Sequence, residues 1–194
     1  MRIVELVIDE KEENAGIDAV SVVEHPATES DWVALKEHQV ELKTVDEDKR
    51  ILMGAALIPD KQIYRRNEKN EEYYIFFSSD TIRQASQLFL KKGNQNEATL
   101  EHQTKIEGMT VVESWLVEDP KKDKSALYGF NMPKGTWMLS MYVDNDDVWE
   151  KVKAKEVKGF SIEGYFQEKE KLSKTLSDDE VLNEIKNLIS KFNA

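Results

Sequence analysis

The chain offers a narrow choice of groups for nucleophilic or acid–base chemistry. It contains no cysteine and three histidines, His25, His38 and His102. The absence of cysteine excludes thiol nucleophiles and thiolate zinc sites, so a nucleophile must be an oxygen or a nitrogen. His38 lies in a charged segment, whereas His102 lies in a predicted strand that could hold it rigidly. A strand histidine is more often structural than catalytic, and both interpretations stay open on this feature alone.

A second candidate group is the hydroxyl of Ser161. Period-2 alternation over residues 158–166 puts apolar side chains on one face and Ser161 and Glu163 on the other. The apolar face would anchor a rigid strand, and Gly159 leaves room for a substrate backbone or an oxyanion beside the serine. The same pattern fits an ordinary edge strand with polar outer residues, because no strand–turn–helix elbow of the hydrolase kind surrounds this serine.

Length, composition and charge limit the classes of protein to which the chain can belong. A length of 194 residues suits one domain, or one domain with a small appendage, and 40% hydrophobic content is typical of a globular chain. The formal net charge of -11 opposes binding to nucleic acid or to anionic membranes, so neither is expected as a partner. No apolar run approaches the roughly 18 to 20 residues of a membrane span, and the first ten residues lack signal-peptide features. We therefore expect the protein to stay in the cytoplasm where it is made.

Hydrophobic patterning predicts a protein made mostly of strands. Strands are predicted at residues 3–8, 19–23, 32–35, 50–58, 72–77, 98–103, 109–117, 136–143 and 159–166. One helix should begin at Ser78 or Ser79 and end at Gly93, and a shorter one should follow a cap within residues 144–147. Because strands and helices do not alternate strictly, the pattern predicts an α+β fold with a mainly antiparallel β-barrel and short flanking helices.

Six short motifs follow one another within residues 50–168. They are Glu101-His102, Gly108-Met109-Thr110-Val111-Val112-Glu113-Ser114-Trp115, Gly135-Thr136-Trp137, Val143-Asp144, Trp149-Glu150-Lys151-Val152 and Lys158-Gly159-Phe160-Ser161-Ile162-Glu163-Gly164. In order and spacing, the set resembles the XkdF-like branch of the phage prohead serine proteases.

The resemblance implies a fold and two catalytic roles. Proteases of this family look like relatives of herpesvirus assemblin, in which a β-barrel carries serine and histidine on neighbouring strands. Carried over by motif, Ser161 is the nucleophile and His102 the general base, which takes the serine proton and returns it to the leaving amine. Their side chains must then lie within hydrogen-bond reach, or one small adjustment of it. The oxyanion donors are not identified by the motifs, and no cofactor is expected.

Two carboxylates compete for the third catalytic position. Glu113 lies 11 residues beyond His102, across a turn near Gly108, so a hairpin would set their strands side by side. Glu163 shares a predicted strand face with Ser161. We place Glu113 slightly ahead of Glu163, and either could be an ordinary surface carboxylate.

The resemblance also divides the chain and suggests its setting. Residues 1–36 form an N-terminal β segment that the motifs do not explain, 37–49 a charged linker or loop, 50–172 the protease domain, and 173–194 a C-terminal amphipathic helix. The implied function is a serine endopeptidase that cleaves phage scaffold and major capsid protein, and itself, inside the assembling procapsid in the host cytoplasm. A homodimer or higher oligomer is a further expectation.

Two other functions remain open at this point. One is a catalytically silent structural or scaffolding head protein that keeps the protease fold and uses its C-terminal helix for assembly. The other is a metal-dependent hydrolase that uses His102 with Glu101 and Glu113, although the His-x-x-x-His spacing of many zinc hydrolases is missing.

The C-terminal helix yields a testable prediction. A helix over residues 177–192 would align Val181, Ile185, Leu188 and Ile189 on one face, and burying each is worth about 1.5–3 kcal/mol. We expect a chain ending at Lys174 to melt at a lower temperature or to lose self-association, measured by thermal unfolding and light scattering beside the full chain. Two monomers of equal thermal stability would show that the tail is dispensable.

Overall fold

The computed structural model describes residues 2–9, 11–24, 43–46, 49–67 and 69–169. The predicted strand at 32–35, His25, His38 and the predicted C-terminal helix all lie outside the described residues.

The described part of the chain contains twelve strands, three α-helices and one 3₁₀ turn. The strands are β1 Arg2–Val7, β2 Gly16–Val23, β3 Lys43–Asp46, β4 Ile51–Leu57, β5 Ile63–Arg66, β6 Glu72–Phe77, β7 Ala98–Leu100, β8 Thr104–Ile106, β9 Met109–Leu116, β10 Trp137–Val143, β11 Gly159–Tyr165 and β12 Gln167–Glu168. The helices are α1 Ser79–Lys91, α2 Lys124–Leu127 and α3 Asp146–Lys153, with the 3₁₀ turn at Asn94–Asn96. Within the described ranges, no helix is both long and apolar enough to cross a membrane.

The strands form three four-stranded sheets. Their orders are β12-β1-β6-β5, β3-β4-β10-β9 and β11-β2-β7-β8, and they are called here the first, second and third sheet. Antiparallel pairing predominates, with parallel pairing between β1 and β6 and between β2 and β7. The predicted α+β class is therefore confirmed. The expected closed barrel is not formed by the described strands, because β11 packs beside β4 without a hydrogen-bond ladder to it.

Local signals in the sequence placed the two longer helices. Helix α1 begins after Ser78, whose hydroxyl accepts a hydrogen bond from the Thr81 amide, and Gly93 follows its end with a φ of 77°. Helix α3 begins after Asn145, whose side chain accepts from the Val148 amide. Both predicted helices are confirmed, since these caps satisfy amides that the helix itself leaves unpaired.

The structure departs from the predicted pattern of strands and helices in several places. Strand β3 lies within the predicted linker 37–49, and helix α2 lies between the predicted strands 109–117 and 136–143, where no helix was predicted. The predicted strand 98–103 ends at Leu100 and continues as a turn. Strand β8 pairs with β7 while β9 pairs with β10, so the expected hairpin between the strands of His102 and Glu113 is wrong.

The main core lies between the sheets and helix α1. Phe89 of α1 meets Trp137 of β10 edge to face, with ring centroids 5.6 Å apart, and both side chains are fully buried. A smaller apolar cluster that includes Met53 and Met138 covers the other face of the second sheet. Strand β4 is therefore buried on both faces, which explains why its sequence reads as a continuous apolar run.

The N-terminal strands belong to the interior of this arrangement. Strand β2 pairs with β11 on one side and with β7 on the other, and β1 pairs with β6 and β12. The segment that the sequence motifs left unexplained thus supplies the strand directly beside Ser161.

The backbones of β2 and β11 approach each other closely at Gly164. A Cβ atom added there would lie 2.0 Å from the carbonyl oxygen of Gly16 and 2.8 Å from the Cα of Ile17. The strand register also shifts between Glu163 and Gly164. A side chain at this position would therefore push β11 away from β2.

We expect Gly164→Ala to lower the free energy of unfolding by about 1–3 kcal/mol, because the contacting atoms are backbone and cannot rotate away. Urea titration measures the change. Asp18→Ala is the control, since Asp18 is exposed on the facing strand and its replacement should stay within about 0.5 kcal/mol. Equal costs for the two substitutions would contradict the close approach.

Candidate active site

Ser161 lies in the middle of β11 with its side chain buried. Its neighbour Phe160 pairs with Val22 on the core-facing side of the third sheet, and both are buried there. Ser161 itself pairs with Ser21 of β2, so both serines point to the opposite face. Ser161 is 2% exposed, and among the described residues its hydroxyl oxygen has no hydrogen-bond partner.

A row of polar side chains crosses this face of the third sheet. Ser161 pairs with Ser21, and Ser21 pairs in turn with Thr99 of β7. Glu163 lies two residues beyond Ser161 on the same face, and its carboxylate accepts a hydrogen bond from the Thr99 hydroxyl. The face opposite the apolar core therefore carries two serines, a threonine and a glutamate side by side.

His102 belongs to the turn that joins β7 and β8, and the prediction that it lies in a strand is wrong. Its backbone amide donates to the Ser21 hydroxyl at 3.0 Å. Its ring Nδ1 lies 3.0 Å from Oε1 of Glu163. The turn is held against β2 by a further bond from the Glu101 amide to the Val22 carbonyl. These contacts place the imidazole on the sheet face that carries Ser161.

The backbone of this turn is strained. Glu101 and His102 have φ values of 53° and 56°, in the left-handed region that disfavours side chains with a Cβ atom. The amide of Gln103 donates to the Leu100 carbonyl, which closes a tight turn over two left-handed residues. Asn-Gly or Asp-Gly is the usual sequence for such a turn. Glutamate and histidine at these two positions therefore carry a local conformational cost, as do the left-handed residues Asp60, Asn70 and Lys155 in other turns.

The His102–Glu163 contact fixes how the imidazole can act. A proton on Nδ1 is donated to the carboxylate, and this leaves Nε2 as the basic nitrogen. The same arrangement of imidazole and carboxylate orients the base of serine hydrolases. The structure brings His102 and Glu163 into contact on the face of Ser161, and it places no hydrogen bond between Ser161 and the imidazole within the described residues.

Glu113 lies elsewhere, on β9 of the second sheet. Its carboxylate accepts hydrogen bonds from Nζ of Lys124 at 2.5 and 2.6 Å and from the hydroxyl of Ser140 at 2.5 Å. The bond from Lys124, followed by that from Ser140, lowers the pKa of Glu113. The structure therefore brings Glu113 to a buried serine and a lysine, and not to His102. Nor does any group of three metal-binding side chains occur in the described ranges.

A pocket of about 250 Å³ adjoins Ser161. Its walls include consecutive residues of β11 from both faces, among them Phe160, Ser161 and Ile162, so it runs along the edge of that strand. No described strand pairs with this edge. Strands β1, β4, β5 and β6 complete the walls, and Arg65 is the one charged side chain among the described lining residues.

Three residues near the site were not singled out from the sequence. Ser21 and Thr99 hold the His102 turn and Glu163, but a serine or threonine in an apolar strand carries no distinctive signal. Arg65 lies between the predicted strands 50–58 and 72–77, where the sequence predicted no strand. Its alternation with Ile63 could have indicated an inward-facing position, once the strand was known to begin at Ile63.

Comparison with known proteins gives one match. Residues 39–170, roughly two thirds of the chain, match the model of the family Peptidase_S78_2, whose description reads "Putative phage serine protease XkdF". No curated protein and no solved structure matches the chain.

The strain at His102 gives a prediction that is independent of activity. His102→Gly should have a free energy of unfolding about 1 kcal/mol higher than His102→Ala, because glycine adopts a positive φ without a steric penalty. At Thr104, in the adjoining strand β8, the order should reverse, since glycine weakens an ordinary strand. Chemical denaturation of the four variants tests both comparisons, and alanine equal to glycine at position 102 would argue against strain.

Proposed function

The chain belongs to the XkdF family of phage serine proteases, and on that premise we propose that it is a serine endopeptidase. In this proposal Ser161 is the nucleophile, His102 the general base and Glu163 the carboxylate that orients the base. The family match and the arrangement on the third sheet support the proposal independently of each other.

The observation that carries the proposal is the unpartnered hydroxyl of Ser161. Buried polar groups almost always find a partner, and an exception calls for an explanation such as catalysis. Residue Ser161 also lines a pocket, and it lies on the sheet face where an imidazole and a carboxylate meet. A serine that was only structural would be expected to bond to a neighbouring carbonyl, as Ser21 does with Thr99.

The proposed reaction follows from the positions of these groups. As Oγ of Ser161 attacks a peptide carbonyl carbon, its proton passes to Nε2 of His102, and Glu163 stabilises the imidazolium through Nδ1. The imidazolium then protonates the leaving amine, and water hydrolyses the acyl-enzyme by the reverse use of the same base. The Ser161 hydroxyl and the imidazole make no hydrogen bond in this structure, so rearrangement must first bring them into contact, as is common in sites without substrate.

Glu163 fits the orienting role better than Glu113. Glu163 is in hydrogen-bond contact with the imidazole, whereas the charge of Glu113 is already paired with Lys124. Glu113 would have to leave a lysine and a buried serine before it could support a histidine from another sheet. The sequence placed Glu113 slightly ahead of Glu163 for this role, and the proposal reverses that order.

The biological setting of the proposal comes from the family. A phage serine protease related to the prohead proteases would cut scaffold and capsid proteins, and itself, within the assembling head. An assemblin-like fold and self-association are part of the same proposal. A catalytically silent head protein is the second candidate, because the structure shows no hydrogen bond between the Ser161 hydroxyl and His102.

We expect Ser161→Ala to abolish cleavage of an unfolded protein substrate and of the chain itself, with a loss of at least about a thousandfold, because the nucleophile is removed. Mass spectrometry over time measures the fragments, and circular dichroism checks that the variant is folded. Equal fragmentation by the variant would remove Ser161 from the mechanism and favour the silent head protein.

A matched pair of substitutions separates the two carboxylates. Glu163→Gln should lower the cleavage rate by about a hundredfold or more, because an amide can favour the wrong tautomer of His102 and cannot stabilise its charge. Glu113→Gln, which changes the same atoms at a site away from His102, should lower the rate much less. A larger loss for Glu113→Gln would return the orienting role to that residue.

A further inference from the structure

Strand β5 turns one of its two arginines inward. Arg66 and Tyr64 lie on the outer face, where both donate hydrogen bonds to the carboxylate of Glu72, at 2.7 and 2.8 Å. Strand alternation places Arg65 on the other face together with Ile63, which is buried in the main core. A cation on a core-facing strand position is uncommon and needs an explanation.

The charge of Arg65 is not neutralised within the described part of the protein. No carboxylate of the described residues lies within 4 Å of its guanidinium, and its one recorded hydrogen bond goes to the carbonyl of Tyr64. Burial lowers the pKa of Arg65, but an arginine remains charged under all ordinary conditions. The guanidinium therefore keeps most of its donors for a partner of opposite charge.

Arg65 and Ser161 line the same pocket. The other walls of that pocket are almost entirely apolar, with Leu57, Ile75 and Phe77 among them. Its volume of about 250 Å³ is smaller than the usual site of a drug-sized ligand and suits a side chain of an extended peptide. The edge of β11 that has no hydrogen-bonded neighbour borders this pocket, so its backbone groups could bond to such a peptide where the peptide enters.

We infer that Arg65 determines substrate specificity by binding the carboxylate of a glutamate or aspartate side chain near the bond that Ser161 cleaves. The inference rests on the proposed function for its link to cleavage. A bidentate arginine–carboxylate pair inside an apolar pocket is strong and directional, and a neutral or basic side chain would leave the guanidinium unpaired. The protein would thus prefer acidic segments although its own net charge is -11.

The first experiment maps cleavage sites in a peptide library made from a bacterial proteome. The wild-type protein should show an acidic residue enriched at one fixed position from the cleaved bond, and Arg65→Met should lose that enrichment. For one such peptide, replacing the acidic residue by its amide should lower kcat/KM by about 10- to 100-fold, the range expected for a charge-assisted hydrogen bond. Arg66→Met is the matched control and should keep the preference, because Arg66 lies on the outer face.

Charge reversal makes this test sharper. Arg65→Glu should move the preference from acidic to basic residues at the same position, a result that loss of folding or of general activity cannot produce. If the wild-type protein cleaves without acidic preference, or if Arg65→Met retains that preference, the inference fails while the proposed function stands.

A binding experiment separates the inference from catalysis. Ser161→Ala is titrated, by fluorescence anisotropy, with blocked ten-residue peptides in which one glutamate scans every position, and with the matching glutamine set. The expected result is that one glutamate peptide binds more tightly than its glutamine counterpart, and that this difference disappears in Ser161→Ala/Arg65→Met. This result supports recognition of a carboxylate by Arg65 even if the wild-type protein cleaves nothing. In that case only the proposed function fails. Equal binding of the two peptide sets overturns the inference.

Discussion

The pairing of β2 with β11 is the interaction on which the candidate site depends. It sets Ser21 beside Ser161, and Ser21 in turn receives the backbone amide of His102. The close packing of Gly164 on the backbone of Gly16 fixes the distance between the two strands. Ser21 of β2 therefore positions the turn that carries His102 relative to Ser161, although these three residues are far apart in the sequence.

The site carries two local costs that a purely structural sheet would avoid. One is the buried hydroxyl of Ser161 without a partner, and the other is the left-handed backbone of Glu101 and His102. Each is worth roughly 1–3 kcal/mol in other proteins. The tight pairing around them and the bond from Glu101 to Val22 hold these residues in place. Left-handed residues also occur in other turns of the chain, at Asp60, Asn70 and Lys155, so the buried hydroxyl is the feature that sets this site apart.

In the proposed mechanism, one face of β11 serves the chemistry and one edge of the strand serves substrate recognition. Its polar face carries Ser161 and Glu163, and Glu163 contacts His102, while its unpaired edge borders the pocket that Arg65 also lines. A peptide lying along that edge would expose its carbonyl groups to Ser161 while a side chain reached the guanidinium. Specificity and catalysis would then be set by different sheets, with the first sheet supplying the cation and the third sheet the reacting groups.

The sequence alone determined the strand character of the protein, both longer helices with their caps, the face alternation of β11 and the family, because these follow from local patterning and from short motifs. It identified Ser161 and His102 as candidate catalytic residues through the resemblance to the phage prohead serine proteases, and not through the spacing of the two residues. Only the tertiary structure decided that Glu163, and not Glu113, contacts His102, because β2 lies between β7 and β11 and so brings together side chains 61 residues apart in the sequence. The turn at His102 escaped detection because neither Glu101 nor His102 is a usual turn residue, and the inward direction of Arg65 depended on where β5 begins.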